Sequence, residues 1–318
     1  MIDFHTHFIP EEVFIWIKEN KQTINAKWNK SPNCKNEFLI VNNKWGFELK
    51  QEFVNMELYI TEQAKNEISH SVISPVPQLF LYEMDSTITN ELSNVYNNAL
   101  IQLLNKYPKN FSAFCTVPLN DPEKAAITLH DSMKKGIKGA IIGPGINDKL
   151  LSDDFFIPFF EVANDLHAII FIHPLLNNDP RIKKKKMSNL IGVPWETTLC
   201  ALDLVLSGFL DKYPNIRILL AHGGGFLPYQ LGRINKGYEM WTEVSSALMR
   251  PPSDYLKRMW YDTVLWNKNS LQLLISTVGK ERVVSGSDFP FDLSEWPPEV
   301  TQARGASSLL GKNAKALK

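Results

Sequence analysis

The chain has 318 residues, 44% hydrophobic and 21% charged, an ordinary globular balance able to bury one large core. Its 34 basic and 34 acidic residues cancel, which excludes the global positive charge that draws proteins to nucleic acid or anionic membranes. Cys34, Cys115 and Cys200 are scattered without a CxxC pair, which excludes a disulfide framework and a thiolate zinc site and fits a reducing compartment.

The N-terminus has neither a basic start nor a long apolar run, and no stretch approaches the roughly 18 apolar residues of a spanning helix. A soluble, cytoplasmic protein is expected.

The first predicted strand, MIDFHTHF, places His5 and His7 two residues apart, so both imidazoles share one face while Phe4 and Phe8 take the other. Two imidazoles on an apolar strand are tolerated when a metal offsets the cost of burying them; the plainer reading is an edge strand with solvated histidines. Residues 9–69 are too long for a simple connection and are read as an insertion of small elements capping one end of the fold. Seven more β-branched and aromatic runs follow: HSVISPVP, FSAFCTVPL, IKGAIIGPG, HAIIFIHP, IRILLAHGG, RMWYDTVLW and RVVSGSDFPF. Between them, residues 90–107, 121–136 and 196–213 carry apolar residues at helical spacing. Strands alternating with helices predict an α/β fold, a single (β/α)8 TIM barrel over residues 1–318. The run RIKKKK (181–186) reads as a solvated loop or as one that steers an acid or phosphate toward a site.

In such a barrel the working residues sit where strands end and the following loops begin. His5 and His7 close strand one, His173 strand five, His222 strand six and Asp288 strand eight, each just before proline or glycine or a Phe-Pro pair. His70 and His167 start their strands and His130 lies in a helix, so these three read as structural or surface residues. Imidazoles plus one carboxylate suit a borderline divalent ion: zinc, with manganese or another ion as alternatives. His222 is read as a general acid or base beside the metal, or else as a further imidazole ligand. Asp288 can both bind metal and accept a proton. Strand four ends in Gly143-Pro144-Gly145 with no acid to bridge a second ion, so one metal per chain is expected.

The order HxH, then GVPWETTLCALDLVLSGFLDKYPNIRILLAHGGGFLPYQLGRI, then GKERVVSGSDFPF resembles the amidohydrolase superfamily, and within it the decarboxylase branch typified by aminocarboxymuconate semialdehyde decarboxylases. The resemblance is strongest over residues 190–292 and weak over 9–69. It implies that His5, His7, His173 and Asp288 bind zinc and that His222 is catalytic. It implies further that Arg233 reaches a carboxylate of the substrate across a homodimer interface, and that Phe291 lines the substrate pocket. A helix-surface role for Arg233 and a packing role for Phe291 stand beside these. The family's arginine before strand two is absent here, no arginine preceding Arg181; Lys44 or Lys50 is the candidate replacement. The family's tryptophan before the ETT motif is replaced near Asn189, with Trp195 close by as a substrate-binding candidate.

The expected activity is decarboxylation of a small unsaturated or aromatic carboxylic acid. A metallohydrolase opening a lactone or amide, and a catalytically silent metal- or ligand-binding relative, are the alternatives. Neither a nucleic acid nor a membrane is an expected partner.

Overall fold

The computed structural model describes residues 1–30, 36–42, 45–298 and 303–311. Cys34 and Lys44 lie outside these residues. The fold is α/β. Strand β1 (Ile2–His7) is followed by β2 (His70–Ser74), β3 (Phe111–Ala113), β4 (Gly139–Ile142), β5 (Ile169–Ile172), β6 (Arg217–Leu220) and β7 (Trp260–Tyr261). All are parallel to their neighbours, β1 with β2 and β2 with β3, then β4 through β7 in order. Their sequences read as unbroken apolar runs such as GAII and IIFI because strands of this kind are covered on both faces.

Parallel bridges join the two sets: Cys115 with Ala140, Tyr261 with Val283, and Thr6 with Phe289. The run of pairings that leaves β1 through β2 thus returns to it through residues 283–289. This eighth segment, expected as a strand, bonds to β1 through Phe4 N to Ser285 O (2.9 Å) and Asp288 N to His5 O (2.8 Å) without forming a regular ladder. Its Ser285-Gly286-Ser287 core explains the difference, because the serines use their side chains. Ser285 donates to Ile2 O at 2.5 Å and Ser287 to Asp3 Oδ2 at 2.6 Å.

The helices between the strands are α1 (Glu11–Glu19), α2 (Met56–Lys65), α3 (Ser86–Lys106), α4 (Pro122–Lys134), α5 (Ile157–Asp165), α6 (Val193–Leu206), α7 (Leu227–Met240) and α8 (Lys268–Val278). Side-chain caps set several starts: Asp85 accepts from Thr87 N before α3, and Asp121 accepts from Lys124 N with Pro122 in the first turn of α4. The helix expected over 196–213 is divided, α6 ending before Gly208, whose φ of +73° suits the left-handed position after a helix. Among the described residues no helix is long and apolar enough to cross a membrane.

Between β1 and β2 stand α1, α2 and an antiparallel three-stranded sheet (Lys27–Lys30, Glu37–Val41, Trp45–Glu48). Phe38 and Phe47 of that sheet line the cavity described next.

Candidate active site

Strand β1 carries Phe4, His5, Thr6 and His7, all fully buried. Its pairing with β2 shifts register between Asp3 and Thr6, an irregularity in mid-strand at Phe4 and His5. His173 follows β5 directly, His222 follows β6 after one alanine, and Asp288 lies in the closing segment. The rings of His5, His7, His173 and His222 approach with centroid distances of 5.0–5.4 Å. His222 and Asp288 both adopt left-handed backbone, at φ +53° and +62°, a conformation that non-glycine residues keep where the surroundings impose it.

Three imidazoles are anchored in the same way. His5 Nδ1 donates to Asp262 Oδ2 at 2.6 Å, His7 Nδ1 to Pro75 O at 3.2 Å and His173 Nδ1 to Pro174 O at 2.9 Å. Carboxylates and carbonyls only accept, so each Nδ1 carries a proton; Nε2 keeps its lone pair on His7 and His173 and gains one on His5 when that ring gives up its second proton. Those three Nε2 atoms are buried and lack hydrogen-bond partners, as does Asp288 Oδ1. Nε2 of His5 lies 3.2 Å, and of His7 3.3 Å, from Asp288 Oδ1. Buried polar atoms are nearly always satisfied, so a convergent set left open fits a cation that would complete it. A soft or octahedral-only site would carry thiolates or mostly oxygen; this nitrogen-rich set with one carboxylate fits zinc-like ions.

His222 is turned the other way. Its Nδ1 is the unpartnered atom, while Nε2 stands 3.9 Å from Asp288 Oδ2. It nevertheless belongs to the one metal-competent group found among the described residues, His5, His173, His222 and Asp288, whose donor atoms lie within 4.8 Å of one another. His7 is not in that group, although its Nε2 faces Asp288.

The charges are mutually dependent. Burial opposes a proton on His5, but the Asp288 charge and hydrogen bonds to Asp262 and Asp288 outweigh it and push His5 up to about 10. Burial holds His7 below the ordinary histidine value, and His173 well below it with help from the neighbouring imidazoles. Burial would raise Asp288, yet the facing histidines hold it well below the usual carboxylate range.

Asp262 was not singled out by sequence. It is fully buried and accepts from His5 Nδ1, His222 N (3.0 Å), Gly223 N (2.9 Å) and Val264 N (3.1 Å). The signal was a carboxylate inside the aromatic run RMWYDTVLW, at the same strand end as the histidines. Asp3 likewise escaped notice: it accepts from His5 N and Ser287 Oγ, and burial pushes it up to about 7.

The cluster opens into a cavity of about 580 Å³ lined by His173, His222, Asp288, Phe47, Gln78 and Phe291. Phe291 stands edge-on to His7 at 5.1 Å, as a pocket wall would. A smaller apolar lobe of about 260 Å³, lined by Leu190, Val193, Phe226, Leu265 and Trp266, shares His222 and Asp288.

The other substrate candidates fall elsewhere. Trp195 lies outside both linings because its ring turns toward Arg181, whose guanidinium carbon is 5.9 Å from the ring centre. Arg233 projects from an exposed turn of α7 and lines neither lobe of its own chain. Lys50 is occupied, donating to Pro290 O at 2.9 Å with Asp292 Oδ1 at 3.4 Å. His70 is satisfied by Lys109 O and Ser112 Oγ, and His130 by the adjacent Asp131, in keeping with structural and surface roles.

Comparison with known proteins places this geometry. The chain is 28% identical over 305 residues to the 2-amino-3-carboxymuconate-6-semialdehyde decarboxylase of Dictyostelium discoideum, covering 93% of this chain and 83% of that one. Its fold superposes on an IDCase from Metarhizium anisopliae in apo form, with TM-score 0.82, 25% identity and coverage of 99% and 96% of the two chains. It also superposes on the 5-carboxyvanillate decarboxylase of Novosphingobium aromaticivorans complexed with manganese and a nitrobenzoic acid, with TM-score 0.77, 20% identity and coverage of 100% and 92%. The amidohydrolase family model matches residues 2–316, a span from the first histidine strand past the closing segment that holds Asp288. With every residue of the cluster inside that match, this chain belongs to the amidohydrolase family.

Proposed function

We propose that the protein is a metal-dependent decarboxylase of a small unsaturated or aromatic carboxylic acid, built on a single (β/α)8 barrel. The observation that carries the metal is the set of open Nε2 atoms of His5, His7 and His173 facing Asp288 Oδ1. The choice of decarboxylation over hydrolysis is supported by the decarboxylase relative that spans 93% of the chain. The parallel pairings that return to β1 support the barrel, and the antiparallel sheet at the cavity supports a capping role for residues 9–69.

His5, His7, His173 and Asp288 would hold one divalent ion. Zinc suits the donors, and manganese, named with the Novosphingobium enzyme, is the other candidate. Bound there, the ion would supply a positive charge that stabilises negative charge developing on the substrate. As the bond to the carboxylate breaks, its electron pair stays with the substrate carbon and CO2 leaves. His222, positioned by the bond from its backbone N–H to Asp262, supplies the proton to that carbon as general acid. Phe47 and Phe291 present an apolar wall to the cavity beside the reacting carbon. A homodimer in which Arg233 serves the neighbouring chain's cavity accounts for that residue's exposure. The free, buried Cys115 and Cys200 support a cytoplasmic setting.

The test joins elemental analysis of the purified protein with a screen of unsaturated and aromatic acids for CO2 release. About one metal per chain with CO2 release is expected. The His222→Asn variant should keep its metal and lose turnover by about 100-fold or more, whereas Asp288→Ala should lose both. Metal without CO2 release, coupled to hydrolysis of lactones or amides, would replace this reading with hydrolysis.

A further inference from the structure

The sequence run RIKKKK left two readings open, and the structure bears on them. Three of its lysines, Lys183, Lys185 and Lys186, line the same cavity as His173, His222 and Asp288. The loop that presents them is built rather than loose. Ile182 is buried, the Asp179 side chain caps the turn at Arg181 N, and Ser188 Oγ donates to Ile182 O at 2.9 Å. Asn189 N and Leu190 N both donate to Lys186 O at 2.9 Å, leading the chain toward α6. Lys185 and Lys186 sit in left-handed backbone, φ +51° and +60°, which the surrounding hydrogen bonds maintain.

Among the described residues no acid is paired with Lys183, Lys185 or Lys186. Arg181 is taken by Asp179, at 2.9 and 3.0 Å from Nε. Of the two acids lining the cavity, Asp288 faces the imidazoles and Asp292 stands beside Lys50. A second opening for a ligand lies in the same cavity. The Gln78 amide lines the cavity with both Oε1 and Nε2 buried and without a hydrogen-bond partner among the described residues. Lysine is a compact point charge that receives planar and tetrahedral anions alike, unlike the planar fork of arginine.

We infer that Lys183, Lys185 and Lys186 form a subsite for a second anionic group, so that the substrate is an acid carrying another carboxylate or phosphate besides the one at the histidine cluster. The inference rests on the decarboxylase reading only for the group at the cluster. The lysine wall itself is a property of the cavity. Lys183, Lys185 and Lys186 are exposed at the cavity rim, so a single acid at the cluster would leave them to solvent.

The test is calorimetric binding of benzoate, isophthalate and 3-phosphonobenzoate to the protein as purified with its metal. The same titrations follow on a variant with Lys183→Gln, Lys185→Gln and Lys186→Gln together, and on each single variant. The wild type should bind at least one diacid about 10-fold or more tighter than benzoate, the worth of one or more charge-assisted hydrogen bonds. Which diacid wins separates a carboxylate subsite from a phosphate one. The triple variant should lose that preference while its benzoate affinity changes less than about 3-fold, with the single variants falling between. Equal affinity for mono- and diacids in the wild type overturns the inference. So does a preference that survives the triple substitution, or a parallel loss of benzoate, which would make the lysines a general attracting field. CO2 release is read in the acid screen above: a lysine-dependent preference with no acid of that screen decarboxylated would leave the subsite standing and the decarboxylase reading fallen, and the converse pattern would do the reverse.

Discussion

What each imidazole can do follows from the atom its Nδ1 touches. Nδ1 of His5, His7 and His173 is spent on oxygen acceptors, which turns Nε2 toward the cavity. Asp262 has the widest reach, fixing His5 through its ring and His222 through its backbone. Asp262→Asn keeps the volume but removes the anion that strengthens His5 as a donor. Metal affinity should fall about 10–100-fold, a range typical for loss of such a supporting partner, as read by competition with a chelator. A pH effect follows from His5. Since it is pushed up to about 10 while burial keeps His7 and His173 neutral at ordinary pH, metal binding must expel one proton, from His5. Protons then oppose the metal, so affinity should rise nearly tenfold per unit between about pH 7 and 9 and level off above His5's own value. Calorimetry in buffers of different ionisation enthalpy counts that proton directly; no release would mean His5 is neutral before metal binds. The five residues of the cluster were legible in sequence because each stands before a chain-breaking residue. Asp262 was not, because Thr263 and Val264 follow it and its partners come from β1 and the loop after β6.

At the scale of elements, the strands could be read because apolar runs covered on both faces leave little ambiguity. The lengths could not: β3 and β7 are short, and the closing segment mixes backbone bonds to β1 with bonds from its serine side chains. Trp195 was placed by analogy with a neighbouring motif, but the start of α6 aims its ring at Arg181. The AHGGG turn between β6 and α7 shows why such loops resist change. Gly225 has φ +65°, and a Cβ there would collide with the Pro194 carbonyl and stand 2.5 Å from Thr198 Oγ1. That hydroxyl also accepts from Phe226 N at 2.6 Å, tying the turn to α6. Gly225→Ala should therefore cost about 2 kcal/mol or more, from left-handed strain plus the collision, seen as a lower urea midpoint. A loss below about 0.5 kcal/mol would show that the turn shifts freely.

For the whole molecule, Arg233 supplies the sharpest expectation. Exposed on α7 and absent from its own cavity lining, it would serve a substrate in a neighbouring copy if it binds one at all. Sedimentation should then find two chains per particle. Mixing the inactive variants Arg233→Ala and His222→Asn should restore about a quarter of wild-type activity, since half the dimers are mixed and each holds one intact site. No recovery from freshly exchanged subunits would return Arg233 to a surface role. Symmetry between copies would leave no trace in one chain's pattern, so only the resemblance bore on it.

The seam between β1 and residues 283–289 also bears on how the molecule comes into being. Two histidines lie among the first seven residues, while the carboxylate they face is residue 288. During synthesis from the N-terminus, His5 and His7 emerge long before Ser285, Ser287 and Asp288, which complete the first strand's second edge. Until then β1 has an open edge and a nascent chain offers its imidazoles without their acid. A ribosome-bound polypeptide can shape most of its core in that interval, but it acquires competence for the ion in a late step, when the last segment zips onto the first.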